Sequence, residues 1–251
     1  MQLSLNEMEQ IIKAMTYNIH FTIGTDNRPD WKRIADIIKK ENPDVLGLEE
    51  VTVNHLHSPG LDVPEVMSGY LGMNIFFGDA IPINNGQGKY GIAALSRYPM
   101  EVIDKIFLPV PEGHEKRVFI IVKVLAPKPY YFIVTHFSYQ GELEHDEELR
   151  TTCAEMVTET VQKNHYFPAV WLGDFNTYPG TETIQYIHTQ WDVCNDRVPY
   201  TPTAYCSNAG WRQIDFICTY PKGAFELREF SFIENMLASD HRPVTALLAL
   251  K

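Results

Sequence analysis

Apolar residues in this chain fall mostly in short runs, and only a few stretches repeat them at helical spacing. Residues 11–19 read as a strand. Pro29 and Asp30 then open a helix, in which Trp31, Ile34, Ala35, Ile37 and Ile38 recur at the helical period and Pro43 marks the stop. Residues 44–48 are a short apolar strand that ends in Glu49 and Glu50. From 74 to 134 the pattern is mostly strands: around Ile75, then 92–95, 102–108, 118–125 and 131–134. A polar helix is expected over 143–164, a strand over 168–172 and a helical turn or two over 181–187. Late strands are expected at 214–219, 226–232 and 244–250. Residues 52–70, 81–90 and 194–211 read as loops.

Strands outnumber helices, and helices follow strands in both halves. That pattern fits an α/β fold with two mixed sheets packed face to face and helices outside, a four-layer αββα sandwich. The spacing also accommodates an open single sheet. No linker, low-complexity segment or fixed-period repeat interrupts residues 1–251, which read as one domain.

The polar residues that interrupt this pattern gather at strand ends. WLGDFNTYPG leaves an apolar run at Leu172, turns at Gly173 and presents Asp174 and Asn176. Asn18 ends MTYNI, Glu50 ends LGLEE, and His136 follows the strand of VTHFSY. Asp240 and His241 precede the last strand, and Asp215 sits inside the apolar run QIDFI. Strand ends collect at one rim of a sheet, so these distant groups can meet. Oxygen donors with imidazoles suit phosphoester hydrolysis with a hard divalent cation, Mg²⁺ or alternatively Mn²⁺, which keeps few protein ligands and several waters. Glu50 can supply a carboxylate to it. His136 and His241 can donate to phosphate oxygens or move protons, and Asp215 or Asp240 can fix an imidazole's tautomer. Asp174 is then free to orient or deprotonate water, with Asn176 holding it or the phosphate.

Composition adds limits. The net charge of −11 gives no overall basic field for nucleic acid or an anionic membrane. Cys153, Cys194, Cys206 and Cys218 show no paired spacing and read as buried thiols. No basic-then-apolar leader is visible and no run of about 18 apolar residues occurs, so the expectation is a cytoplasmic protein unless a leader has been removed.

In this order, TYNIH, RIADIIKKENPDVLGLEEV, YGIAALSRYPM, THFSY, GDFNTYPGT, RQIDFI and SDHRPV resemble the motifs of the endonuclease/exonuclease/phosphatase superfamily. The resemblance spans nearly the whole chain and implies the deoxyribonuclease I-like αββα sandwich. It implies metal-site positions at Asn18 and Glu50, with Asp240 as a further candidate. It implies a phosphate-side histidine at His136, the GDFN pair at Asp174 and Asn176, an acid partner for the last histidine at Asp215, and the terminal pair Asp240 and His241. It departs from the family at two points. Glu49 stands where the family often has Gln, which makes Glu49 a competing ligand. Arg150 is followed by Cys153 where a Gln is common.

Each feature has a plainer reading. Asp174 and Asn176 also suit a turn, Asp215 could pair with Arg212, and Asn18 could hold a loop. His20 is a rim or structural residue. Gly86, Gly88 and Gly91 formally match GxGxxG, but the following IAALSRYP reaches Pro99 too soon for a full helix, so they read as a loop feeding a strand. His55 and His57 read as solvated or rim histidines in a loop. GELEHDEELR, residues 141–150, reads as the solvated start of a helix. The first expectation is a phosphodiesterase or phosphatase for a small or lipid-linked phosphoester. A nuclease is the second, and a binding module without turnover the third. Tyr70, Tyr200, Tyr205 and Trp211 are available to stack on a substrate or to pack.

Overall fold

The computed structural model describes residues 9–139, 146–206 and 210–251. In chain order the strands of the first sheet are β1 (Gln10–Asn18), β2 (Val45–His55), β3 (Ser58–Asp62), β4 (Asn74–Ile83) and β5 (Gly88–Ser96). The second sheet takes β6 (Met100–Phe107), β7 (Val118–Val124), β8 (Tyr130–His136), β9 (Ala169–Asp174) and β10 (Asp192–Val193). A small hairpin, β11 (Ala204–Cys206) and β12 (Gly210–Arg212), precedes β13 (Asp215–Tyr220), which returns to the second sheet; β14 (Phe225–Phe232) and β15 (Val244–Leu250) complete the first. The orders are β14-β15-β1-β2-β5-β4, with β3 on β2, and β10-β13-β9-β8-β7-β6. Helices α1 (Trp31–Glu41) and α2 (Val63–Leu71) cover the first sheet; α3 (Glu147–Lys163) and α4 (Glu182–Gln190) cover the second. This is the αββα sandwich, with mixed sheets: β1–β2 and β8–β9 run parallel and their other neighbours antiparallel.

The period of two along each strand sorts side chains between layers. In β7, Val118, Ile120, Val122 and Val124 face the opposite sheet, while Phe119 and Ile121 face the helices. The same alternation puts Ile12 and Ala14, Phe132 and Val134, Val170 and Leu172, and Ile217 into the inter-sheet core. Continued two residues at a time, it brings Asn18, His136, Asp174 and Asp215 onto the inner faces at one rim. Two glycines permit the close packing there. A Cβ on Gly47 would lie 2.2 Å from Leu172 of the facing sheet. Gly173, at φ +149°, would place a Cβ 1.9 Å from the Thr135 carbonyl oxygen, so no side chain fits beside Asp174.

Helix α1 begins as its sequence announces: Asp30 accepts from the Arg33 N–H, and Asn42 closes it in the left-handed conformation. The segment expected as a loop over 52–70 is instead structured. β2 runs on to His55, turns into β3, and Asp62 caps α2, whose Pro64 sits in the first turn. Its signal was hidden because VTVNHLH mixes polar and apolar residues as the chain runs from buried Val51 and Thr52 out to exposed Leu56 and His57. The glycine-rich stretch does feed a strand, β5. Of the acidic stretch, residues 141–145 lie outside the described residues; α3 begins at Glu147. All four cysteines are buried and unpaired. Among the described residues no helix is long and apolar enough to cross a membrane.

Candidate active site

Three adjacent strands of the second sheet place the first groups. Registers β8–β9 and β13–β9 align His136 with Asp174 and Asp215 with Asp174, so the three residues stand side by side. From the facing sheet, β1 and β2 align Asn18 with Glu49. The alternation would give Glu49 the inner face and turn Glu50 away. A bulge between Leu48 and Val51, with Glu50 at φ +58°, turns Glu50 into the pocket as well. Glu49 stays inside: it is 0% exposed, accepts from Thr16 Oγ1 at 3.0 Å and does not line the pocket. Burial first, then the charges of Asp215 and Asp174, raise its carboxyl well above the usual range. Buried behind the pocket wall, Glu49 is a poor competitor for a cation in the cleft.

The pocket is a cleft of about 220 Å³. Glu50, Arg117, His136, Asp174, Asn176, Asp240 and His241 line it together with Tyr139, Tyr205, Cys206, Ala204 and Ile214. A larger hollow of about 530 Å³ lies along α1 and residues 233–235, but none of the converging groups reaches it.

Asp174 is the hub. Its Oδ2 accepts from Asn18 Nδ2 at 3.0 Å, and Oδ1 accepts from the Asn176 N–H at 2.9 Å. His136 Nε2 lies 3.4 Å and His241 Nε2 3.7 Å from Oδ2. Burial pushes its carboxyl up; His241 opposes this and Asp215 adds to it, leaving the group at about 7. Asn176 sits at φ +48° and donates from Nδ2 to the Phe137 carbonyl at 2.9 Å, which fixes the turn after β9.

The two histidines are driven apart. His241 Nδ1 lies 3.0 and 3.1 Å from the Asp215 oxygens, so Asp215 pairs with His241 and not with Arg212. Burial would lower the imidazole, but Asp215, Asp174 and Asp240 outweigh it and hold His241 well above the usual histidine range. It is an imidazolium at neutral pH. His136 is the opposite case. Arg117 Nη1 sits 2.7 Å from its Nδ1 and 3.1 Å from its Nε2. A guanidinium only donates, so the ring nitrogen it contacts must accept, which favours the neutral imidazole. Burial and then the Arg117 charge hold His136 well below the usual range.

Asp240 lies beside Glu50 and His20. Its Oδ1 is 3.8 Å from His20 Nδ1, which puts His20 at the rim, and the Ser239 hydroxyl ties this turn to the Asn18 carbonyl at 2.7 Å. Burial first, then the Asp240 charge, raise the Glu50 carboxyl. Glu50 and Asp240 turn two carboxylates into one polar cleft, and such oxygen donors fit a hard divalent cation. Asn18 presents its amide nitrogen to both Glu50, at 3.2 Å, and Asp174, while its oxygen accepts from the His20 N–H at 3.1 Å. In this arrangement it braces the carboxylates. Among the described residues, Asp174, Asp215 and His241 also bring ligand atoms within 4.8 Å of one another. The Asp215 oxygens and His241 Nδ1 satisfy each other there, so that cluster is a hydrogen-bonded relay and a weaker cation cage than Glu50 with Asp240.

The family model for the endonuclease/exonuclease/phosphatase family matches residues 15–241. The chain belongs to the endonuclease/exonuclease/phosphatase family. Solved structures of family proteins share its fold. One from Beutenbergia cavernae has 24% identity and a TM-score of 0.78, covering 96% of this chain and 72% of that one. ANGEL2, a 2',3'-cyclic phosphatase, has 14% identity and a TM-score of 0.73 over 96% of each chain. A mannosyl-6-phosphatase from Bacteroides thetaiotaomicron has 16% identity and a TM-score of 0.69, over 94% of this chain and 99% of that one.

The pattern of strand ends did not announce every residue of this family pocket. Arg117 was missed. It precedes β7, and the antiparallel β7–β8 register that lays it beside His136 is a tertiary fact. Its other contacts are Tyr90 Oη at 2.9 Å and Glu115 at 2.9 Å. Arg150 is fully buried in α3, where it donates to the Ser138 carbonyl and pairs with Glu147. Glu147 in turn accepts from the Thr183 N–H and Thr177 hydroxyl, locking α3 to α4. Of the exposed aromatics, Tyr205 lines the pocket and meets Trp211 edge to face at 5.6 Å. Tyr70 bonds Asp36 and packs on Trp31, as part of the helical layer. Residues 207–209 of the late loop lie outside the described residues.

Proposed function

We propose that this chain is a divalent-cation-dependent phosphoesterase, one catalytic domain over residues 1–251, that hydrolyses a small or lipid-linked phosphoester by in-line attack of water. The observation that carries the reading is the pairing of a buried acid held at about 7, Asp174, with a buried imidazolium, His241, in one cleft. That is the division of labour hydrolysis at neutral pH requires.

Asp174 orients the water and takes its proton. Asn176 and Asn18 hold the carboxylate in place. His241, kept charged and in one orientation by Asp215, donates from Nε2 to a phosphate oxygen as charge builds. Arg117 adds a second fixed positive charge beside neutral His136, whose Nε2 faces Asp174. Glu50 and Asp240 would hold the cation, Mg²⁺ or Mn²⁺, with Asn18 ordering them. Bound there, it would supply charge neutralisation of the phosphate and leaving oxygen.

The acidic balance of the chain supports a small or lipid-linked substrate over a nucleic acid. Nuclease action remains the second reading, supported by Tyr205 and Trp211, exposed aromatics at the cleft mouth. The test is a panel of nucleotides, phosphoinositides, sphingomyelin and DNA with Mg²⁺ and Mn²⁺. Asp174→Ala and His241→Ala should each cost about 10²-fold or more in turnover. Absence of any EDTA-sensitive turnover, or variants as active as the parent, would refute the reading. Turnover of DNA that collapses with added salt would select the nuclease.

A further inference from the structure

Beside the cleft lies a second hollow that the proposed chemistry does not use. It holds about 220 Å³. Tyr90 and Glu115 line it, and both contact Arg117, which lines the cleft. The remaining wall is largely apolar: Phe21, Leu56, Ile81 and Ile83.

Phe21 is held there against backbone preference. His20, Phe21 and Thr22 take φ of +43°, +54° and +68°, and none is glycine. Such residues persist only where surrounding bonds over-determine them, and they gather at ligand clamps. Here the bonds are His20 N–H to Asn18 Oδ1, Thr22 N–H to the Ile19 carbonyl at 2.7 Å, and Asp30 N–H to the Thr22 carbonyl at 2.8 Å. The turn therefore starts from Asn18 in the cleft and delivers a ring next door. The Phe21 ring lies parallel to the His55 imidazole, 5.0 Å away at 4°, and 5.7 Å from the Tyr90 ring. Leu56 stands at the tip of the β2–β3 hairpin, 69% exposed, with nothing to cover it.

We propose that this hollow is a substrate subsite that takes one apolar aromatic ring attached to the phosphate bound in the cleft. The inference rests on the phosphoesterase reading above. Flat walls select a ring, since aromatic groups gain from offset or edge contact with Phe21, His55 and Tyr90. The size fits, because an apolar cavity of about 150 Å³ already admits benzene. A second anionic group is disfavoured. Glu115 faces the hollow, and burial, then His57 and His20, hold the His55 imidazole below its ordinary value.

The test compares phenylphosphonate with methylphosphonate on the full chain with Mn²⁺, by calorimetry and as inhibitors. Phenylphosphonate should bind about tenfold tighter or more, the gain expected from burying a ring. Phe21→Ala should bring the ratio within about twofold of one. Leu56→Ser, at an exposed tip that leaves folding intact, should lower it severalfold. Equal binding by the parent, or an undiminished ratio in both variants, would overturn the subsite. If phosphoesters turn over and methylphosphonate binds but the phenyl group brings no gain, only the subsite falls. If neither phosphonate binds and no phosphoester turns over, the phosphoesterase reading falls and takes the subsite with it.

Discussion

Replacing Glu49 by Gln isolates one buried proton. In the folded chain Glu49 is 0% exposed and its carboxyl is held well above 4.5, by burial and by Asp215 and Asp174. In the unfolded chain it ionises near that ordinary value. Between the two, the unfolded state binds fewer protons, so stability falls as pH rises. The fall is about 1.4 kcal/mol per pH unit for one proton. Its stabilising contribution is complete below the unfolded value and is lost as pH climbs toward the folded one. Gln has no proton to lose and is nearly isosteric. Its amide oxygen can accept from Thr16 Oγ1 as the carboxyl does at 3.0 Å, and the second Glu49 oxygen has no hydrogen-bond partner to forfeit. Glu49→Gln should therefore match the parent near pH 4 and overtake it as pH rises above the ordinary value, at a slope of up to about 1.4 kcal/mol per pH unit until the folded carboxyl ionises. Asp174, His241 and Glu50 titrate in both proteins, so the difference between them reports Glu49. The assay is urea unfolding in EDTA at pH 4, 5, 6 and 7, followed by the fluorescence of Trp171 and Trp191, both buried. Parallel stability curves across that range would show that Glu49 is ionised in the fold and refute the reasoning.

Two further outcomes follow from the same geometry. Asp215→Asn removes the charge that keeps His241 protonated, so its imidazolium is lost at lower pH; the alkaline limb of kcat/KM should move toward acid, with about a 10²-fold loss at pH 8, and an unmoved limb would refute the pairing. Gly173→Ala forces a Cβ to within 1.9 Å of the Thr135 oxygen at φ +149°, so urea unfolding should show a loss of about 3 kcal/mol; an unchanged midpoint would refute the close approach.

Much of this protein is legible in one dimension. The period of two assigned most strands, and its continuation past the apolar run put Asn18, His136, Asp174 and Asp215 at strand ends. Asp30 and Pro43 bounded α1 as their backbone preferences require. The motif order was enough to recognise the family that the comparison with its model then matched. What the sequence could not carry is whatever depends on pairing. The register of β7 on β8 chose Arg117 as the neighbour of His136. The bulge after Leu48 turned Glu50 into the cleft and left Glu49 buried behind it. Asn18 reads as a metal-site position in sequence, yet only the packing puts its amide nitrogen on Glu50 and Asp174 and so has it bracing carboxylates. Local preference fixes a residue's face within its own strand. The charge it carries and the partner it meets are set by burial and by strands far away in the chain, and those exist only once the sheets have closed on each other.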